Sequence, residues 1–125
     1  MKISIIGTGY VGAVTGTCLA ELGHQIVFVG RETKKLDLIN SGKSPIYEPG
    51  LDQLLEKNLP RITTTIDLPD AIRKTELTFV CVGTPSNDDG SINLDQVRDV
   101  SHTIGKSLAS DDEYHTIIEN FEKHR

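Results

Sequence analysis

The sequence predicts an α/β fold, a doubly wound parallel sheet of about five strands in the order 3-2-1-4-5. Two observations support this prediction. Short apolar runs alternate with amphipathic segments along the chain, a pattern typical of right-handed β-α-β crossovers. The first apolar run, Lys2 to Ile6, leads into a glycine-rich turn, and that turn opens a segment of helical period.

The glycine-rich turn has the spacing GxGxxG, formed by Gly7, Gly9 and Gly12. Gly7 is expected to allow the tight turn, Gly9 to let the main chain approach a phosphate, and Gly12 to let the helix pack on the strand. The backbone N–H groups of Tyr10 and Val11 would then face a pyrophosphate. The motif in this setting predicts a Rossmann-like dinucleotide-binding domain. A glycine-rich turn without a cofactor is the alternative.

The remaining elements follow from apolar period and turn residues. Gly23 is expected to end the first helix in the C′ position, and Asp67 to cap a later one with Pro69 in its first turn. The further predicted strands are Ile26 to Val29, Ile62 to Ile66, Leu77 to Val82 and Tyr114 to Ile118. The further predicted helices are Thr33 to Asn40, Leu51 to Leu59, Asp67 to Lys74, and a helix from an Asn93 cap to Leu108.

The predicted strand order places a ligand crevice where strands 1 and 4 diverge, at their carboxyl ends. The loop after strand 1 carries the glycine motif, and the loop after strand 4 begins with Gly83, Thr84 and Pro85. Two loops that permit close backbone approach would therefore face one crevice.

Composition narrows the classes of function. The chain has 125 residues and a formal net charge of −5, which predicts one domain without general affinity for nucleic acid or anionic membranes. No apolar stretch is long enough to span a membrane, and Met1 opens directly into a strand, so a cytoplasmic location is expected. Cys18 and Cys81 lack metal-ligand spacing and are expected to be buried small apolar residues without a disulfide. No metal site is predicted.

Four segments together resemble a known family. They are MKISIIGTGYVG at the start, CLAELGH, SPIYEPGL at positions 44 to 51, and FVCVGTPSNDDGSINLDQV at positions 79 to 97. In this order and spacing they are similar to the N-terminal domain of the UDP-glucose/GDP-mannose 6-dehydrogenases. The resemblance covers residues 1 to about 118 and depends on YEPGL, VGTP and DGSINL more than on the glycine motif alone.

Enzymes of this family oxidise the C6 alcohol of a nucleotide sugar twice, to the carboxylate, with two molecules of NAD. For this chain the resemblance implies pyrophosphate contacts from the glycine motif, an adenosine ribose contact from Lys35, and nicotinamide-side contacts from Gly83, Thr84 and Pro85. The pyrophosphate residues are Gly7, Gly9, Tyr10, Val11 and Gly12. The segment from Tyr47 to Gly50 stays open between a functional role and one in which Pro and Gly shape the loop and the Tyr packs.

One departure from the family concerns the cofactor. The family's second strand normally ends in an Asp that binds the ribose hydroxyls of NAD, whereas this chain has Gly30 followed by Arg31. Loss of the carboxylate removes repulsion of a 2′-phosphate, and Arg31 could pair with that phosphate. NADP is therefore an alternative to NAD. Glu32 could instead supply a carboxylate one step further on, and Arg31 could be an ordinary surface charge.

A second departure lies at the end of the chain. Residues 1 to 118 are expected to form the dinucleotide-binding domain and residues 119 to 125 a divergent charged tail. The family's central helix, sugar-binding domain and thiohemiacetal-forming cysteine have no counterpart, which suggests a truncated or rearranged product. No catalytic residue is assigned, and the isolated chain is expected to be inactive.

The resemblance implies a nicotinamide dinucleotide as ligand, and a nucleotide sugar only together with the missing domain. It leaves homo-oligomerisation open. The alternative to an enzyme is a stand-alone dinucleotide-binding or sensing module, or a remnant without catalysis. Another type of β-α-β dehydrogenase would share the glycine motif but not YEPGL.

Overall fold

The computed structural model describes residues 1–108 and 115–119. Five strands form one parallel sheet in the order β3-β2-β1-β4-β5, so the predicted α/β class and strand order are confirmed. The strands are β1 (Lys2–Ile6), β2 (Gln25–Val29), β3 (Ile62–Thr65), β4 (Leu77–Val80) and β5 (Thr116–Glu119). Glu119 therefore belongs to the last strand, not to the tail. Tyr114 and residues 120–125 lie outside the described residues.

The helices are α1 (Tyr10–Glu21), α2 (Thr33–Asn40), α3 (Leu51–Lys57), α4 (Leu68–Lys74) and α5 (Asp95–Leu108), with a 3₁₀ turn at Leu59–Arg61. Gly23 has a φ of +101°. Its N–H donates to the Ala20 carbonyl at 2.9 Å, and the His24 N–H donates to the Leu19 carbonyl at 3.2 Å. This is the Schellman arrangement, so Gly23 ends α1 as predicted.

Helices cover both faces of the sheet, because side chains of successive strand residues point to opposite sides. One apolar core packs strand residues against α1, α2 and α3, with Ile5, Phe28 and Leu55 among its members. The other packs the opposite side chains against α4 and α5, including Ile6 and Ile104. The strands are thus enclosed, and ligand access is left to their ends.

A chain of buried hydroxyl groups crosses the centre of the sheet. The Ser4 hydroxyl on β1 lies 2.7 Å from the Thr78 hydroxyl on β4, and Thr75 donates to Ser4 at 3.1 Å. The Thr78 hydroxyl also lies 2.6 Å from Nε2 of His115, just before β5. Ser4 and Thr78 are fully buried, so their hydrogen bonds offset the cost of removing the hydroxyls from water.

The loop after β4 contains a small hairpin. Ser86 and Ile92 form an antiparallel bridge, and Gly90 takes a φ of +86° at the tip. The Asp89 carboxylate accepts hydrogen bonds from the Ser91 N–H at 2.9 Å and the Ser91 hydroxyl at 2.6 Å. These bonds, the side-chain one most, lower the pKa of Asp89.

Candidate dinucleotide-binding cleft

The turn between β1 and α1 lines a cleft at the carboxyl end of the sheet. Gly7 has a φ of +109°, which glycine adopts without steric cost. A Cβ at this position would lie 2.5 Å from the Cys81 carbonyl oxygen. The Gly7 N–H donates to the Val29 carbonyl at 3.0 Å. Gly7 therefore makes the predicted tight turn from β1 into α1. It lies between the chain segments that end β2 and β4.

The other two glycines of the motif differ in their surroundings. A Cβ on Gly12 would collide with the Gly7 carbonyl group and lie 3.4 Å from the Ile5 Cγ2 atom. Gly12 thus permits close packing of α1 on β1, and it is buried behind the cleft. A Cβ on Gly9 would meet no protein atom within 4 Å. The space beside Gly9 is part of the cleft and is open to a ligand.

Helix α1 begins at the cleft without a side-chain cap. Gly9 is its N-cap residue, no side chain bonds to the cap, and the first turn contains no acidic residue. The first N–H groups of a helix lack intrahelical acceptors, and the helix dipole makes this end positive. Tyr10 and Val11 both line the cleft at this point. The arrangement suits a phosphate group, which would accept these N–H groups.

The opposite side of the cleft is formed by the chain after β4, at Cys81, Val82 and Gly83. The Cys81 N–H donates to the Ile6 carbonyl at 2.8 Å, which holds this segment beside the glycine turn. A Cβ on Gly83 would meet no protein atom within 4 Å. The two glycine-bearing strand ends therefore share one cleft. Thr84 is buried and Pro85 is exposed, and neither lines it.

The chain after β2 forms a third part of the lining, here called the ribose end: Gly30, Arg31, Glu32 and Lys35. All three residues predicted here from the sequence, Gly30, Arg31 and Lys35, are brought to the cleft. The Lys35 ammonium lies 3.7 Å from the Glu32 carboxylate. Glu32 thus forms an ion pair with Lys35, three residues further along the chain.

Two groups of lining residues were not expected from the sequence. The first follows β3 and consists of Ile66, Asp67, Leu68 and Pro69. The predicted strand order could have found them, because it places the end of β3 beside the end of β2. The second lies on α5 and consists of Gln96, Val100 and Thr103. Their spacing of four and three residues puts them on one helix face, which is a weaker signal.

Together these residues surround a cleft of about 800 Å³. Cofactor and small-molecule pockets typically measure roughly 300–1,000 Å³. The lining combines backbone donors at one end with charged side chains at the other. Within residues 1–108 and 115–119, no group of three or more His, Cys, Asp or Glu is placed to hold a metal ion. The donor set thus fits an anionic organic ligand such as a dinucleotide.

The YEPG loop contacts the glycine motif through Glu48. The Glu48 carboxylate lies beside the Tyr10 hydroxyl, and its charge and the hydrogen bond it accepts raise the pKa of Tyr10. Tyr47 is 93% exposed, so the alternative in which it packs is wrong. Gly50 takes a φ of +83° before α3, and it does shape the loop. Glu48 and Tyr10 lie 38 positions apart, and no local pattern pairs them.

The two cysteines differ from the sequence-based expectation. Cys18 is exposed and Cys81 is half-buried. The small residues Ala13, Gly16 and Ala20 face the sheet, at the spacing expected for one side of a helix. Cys18 and Leu22 lie on the outer side. No helix in the described ranges is long and apolar enough to cross a membrane.

Comparison with known proteins agrees with this geometry. The family model described as "UDP-glucose/GDP-mannose dehydrogenase family, NAD binding domain" matches residues 1–120. The GDP-mannose 6-dehydrogenase of Pseudomonas syringae pv. tomato is 48% identical over 120 residues, which are 94% of this chain and 27% of that protein. The UDP-glucose 6-dehydrogenase TuaD of Bacillus subtilis is 45% identical over 109 residues, 86% of this chain and 24% of that protein.

Solved structures give the same result. A ternary complex of GDP-mannose dehydrogenase from Pseudomonas aeruginosa superposes with a TM-score of 0.94 at 41% identity, over 97% of this chain and 28% of that one. The chain spans about a quarter of the length of these relatives. With a Rossmann-like sheet, a glycine turn at an uncapped helix and a family match over nearly all its residues, the chain belongs to the UDP-glucose/GDP-mannose dehydrogenase family and carries its NAD-binding domain.

Proposed function

We propose that the cleft binds NAD in an extended form and that the domain serves the oxidation of a nucleotide sugar. The pyrophosphate lies against Gly9, Tyr10 and Val11 at the start of α1. The adenosine ribose lies at the ribose end, near Lys35, and the nicotinamide extends toward Gly83. Thr84 and Pro85 follow Gly83 outside the lining and shape the loop on the nicotinamide side. Gly12 acts indirectly, by setting the position of α1.

The observation that carries this proposal is the empty space at Gly9. A helix N-terminus alone would not define a site. Here, a Cβ on Gly9 would meet no protein atom within 4 Å, and the free space beside it is part of the cleft. Backbone can approach a phosphate only where no side chain intervenes. Gly9 therefore serves the ligand, since the fold itself would accept a side chain there.

When bound, NAD supplies a hydride acceptor for an alcohol carbon, which becomes a carbonyl. The residues of this domain bind and orient that acceptor, with the apolar side chain of Val82 beside Gly83 on the nicotinamide side and those of Val29 and Leu68 at the other end of the cleft. The substrate is a nucleotide sugar such as GDP-mannose or UDP-glucose, the compounds named for the relatives. Sugar binding and the covalent step are assigned to no residue of the matched domain, so we expect this domain alone to bind the cofactor without turnover.

Substitution of Gly9 tests the binding site. Gly9→Val places a side chain where phosphate must lie, so we expect NADH affinity to fall at least about a hundredfold. Gly105→Val is the matched control, because its Cβ also meets no protein atom within 4 Å and it lies on α5 outside the cleft. Isothermal titration with NADH measures both variants, and circular dichroism verifies folding. Equal NADH affinity of wild type and a folded Gly9→Val protein would disprove the site.

A turnover assay tests whether the chain alone oxidises a nucleotide sugar. The purified chain is incubated with NAD and either UDP-glucose or GDP-mannose, and NADH is followed by absorbance. We expect no NADH to form, because no nucleophile for the covalent step is assigned within this domain. Turnover that persists through purification and disappears in Gly9→Val would place catalytic residues in this chain.

A further inference from the structure

The ribose end of the cleft lacks the carboxylate that usually reads the adenosine ribose. In dinucleotide-binding sheets an acidic residue at the end of the second strand binds the ribose 2′-hydroxyl and repels a 2′-phosphate. Here β2 ends at Val29, and Gly30 follows it into the cleft. Its N–H donates to the Thr65 carbonyl at 3.2 Å. The backbone is therefore held where an acidic side chain would act, but no side chain is present.

Packing also limits which side chains residue 30 could carry. A Cβ on Gly30 would lie 3.2 Å from the Leu36 Cδ2 atom and 3.3 Å from the Thr8 Cγ2 atom. Both Leu36 and Thr8 are buried. A carboxylate here would need both side chains to shift by a few tenths of an ångström.

The charges at the ribose end leave one cation uncompensated. Glu32 pairs with Lys35 at 3.7 Å. The Asp67 carboxylate, which also lines the cleft, caps α4 by accepting the Asp70 N–H at 3.0 Å. Arg31 is exposed and forms no ion pair with any residue in the described part of the chain. A phosphate on the ribose 2′-oxygen would meet a guanidinium that has no competing partner there.

We propose that this cleft accepts NADPH as well as NADH, with Arg31 as the residue that determines 2′-phosphate binding. The inference rests on the proposed function, because it assumes that a dinucleotide lies in the cleft. A guanidinium binds phosphate by two parallel charge-assisted hydrogen bonds. The two carboxylates nearby reduce this gain but are each engaged with another group. Discrimination between the two cofactors is therefore weak, and it depends on one exposed side chain.

The test compares both cofactors on the full 125-residue chain at physiological salt. Wild type, Arg31→Ala and Lys34→Ala are titrated with NADH, NADPH, 5′-AMP and 2′,5′-ADP. Lys34→Ala removes the same charge from an exposed neighbour that does not line the cleft. Screening over roughly 8 Å at this ionic strength limits its long-range effect. The two adenosine nucleotides isolate the ribose end from the nicotinamide.

We expect wild type to bind NADPH within about tenfold of NADH. Arg31→Ala should weaken NADPH and 2′,5′-ADP by about tenfold more than it weakens NADH and 5′-AMP. Lys34→Ala should leave all four affinities within about twofold.

Two results would overturn the inference while the proposed function stands. One is NADH binding with NADPH rejected about a hundredfold in wild type. The other is an Arg31→Ala protein that loses both cofactors equally. Failure of wild type to bind either cofactor would overturn the proposed function, and this inference with it.

Discussion

In the binding mode that we propose, the phosphate end of the cleft, at Gly7 to Val11, and its ribose end are built differently. At the phosphate end, backbone groups define the site: Gly7 turns, Gly9 leaves space, and the start of α1 offers N–H donors. At the ribose end, side-chain charges define it, through Arg31 and the Glu32–Lys35 pair. Backbone geometry depends on the whole fold, whereas a surface charge changes with one substitution. Cofactor binding should therefore be robust in this domain and cofactor choice easily altered.

The largest effect that would test this contrast is expected at Gly12. A Cβ there would collide with the Gly7 carbonyl group, which is backbone and cannot move without shifting β1 or α1. We expect Gly12→Ala to reduce the free energy of unfolding by about 3 kcal/mol or more. Urea denaturation followed by circular dichroism measures this loss.

Gly9→Ala is the control for Gly12→Ala, because its Cβ meets no protein atom within 4 Å. Its stability should stay within about 0.5 kcal/mol of wild type. If Gly12→Ala were as stable as Gly9→Ala, the close packing of α1 on β1 would not constrain the phosphate end as argued.

An intermediate effect is expected at Gly30, where a substitution should change selectivity more than folding. Gly30→Ala and Gly30→Asp impose the same crowding on Leu36 and Thr8, and both contacts are with ends of side chains that can adjust. Each variant should lose less than about 1.5 kcal/mol of stability. Only Gly30→Asp adds a carboxylate, which should weaken NADPH about tenfold relative to NADH.

Competitive binding of the two cofactors to both Gly30 variants measures this difference. Alanine isolates the steric contribution, and the comparison with aspartate isolates the charge. Identical NADPH to NADH ratios in the two variants would mean that residue 30 does not face the ribose.

The smallest effect is expected at Glu48, the side-chain contact of the phosphate end. The nearby carboxylate raises the pKa of Tyr10 by disfavouring the phenolate. Glu48→Gln removes that charge, so the Tyr10 pKa should fall toward its usual value near 10. NMR titration of ¹³C-labelled tyrosine measures the shift.

The sign of the pH dependence follows from the raised pKa of Tyr10. The folded state holds this proton more tightly than the unfolded chain, so any contribution to stability is complete below the unfolded pKa and lost as pH rises through the folded pKa. A Tyr10 pKa that is unchanged in Glu48→Gln would show that the YEPG loop does not contact the glycine motif in solution.

Much of the fold could be predicted from local sequence. Helix α2 has the predicted bounds Thr33–Asn40, Gly23 ends α1, and the Asp67 side chain caps α4. These features depend on period and on residues with special backbone preferences, which act over a few positions. The glycine motif could be placed for the same reason.

What the sequence could not supply depends on contacts between distant segments. The contact of Glu48 with Tyr10 follows from the path of a whole loop, which no local pattern encodes. That Ile66–Pro69 lines the cleft could have been deduced from the strand order. The hairpin tip at Gly90 could have been deduced from the NDDG segment.

The buried hydroxyl chain through Ser4, Thr75 and Thr78 has a consequence for which strand alignments the sheet can adopt. Apolar side chains tolerate a slide of two residues, because alternation with period two returns the same face to the core. Hydroxyl groups do not, because each needs a partner at bonding distance. Ser4 lies opposite Thr78 in the β1–β4 pairing, and a slide of two would leave both hydroxyls buried without each other. The hydroxyl chain therefore sets the register of β4 against β1. This register determines how far the Cys81–Gly83 segment extends past the end of β1.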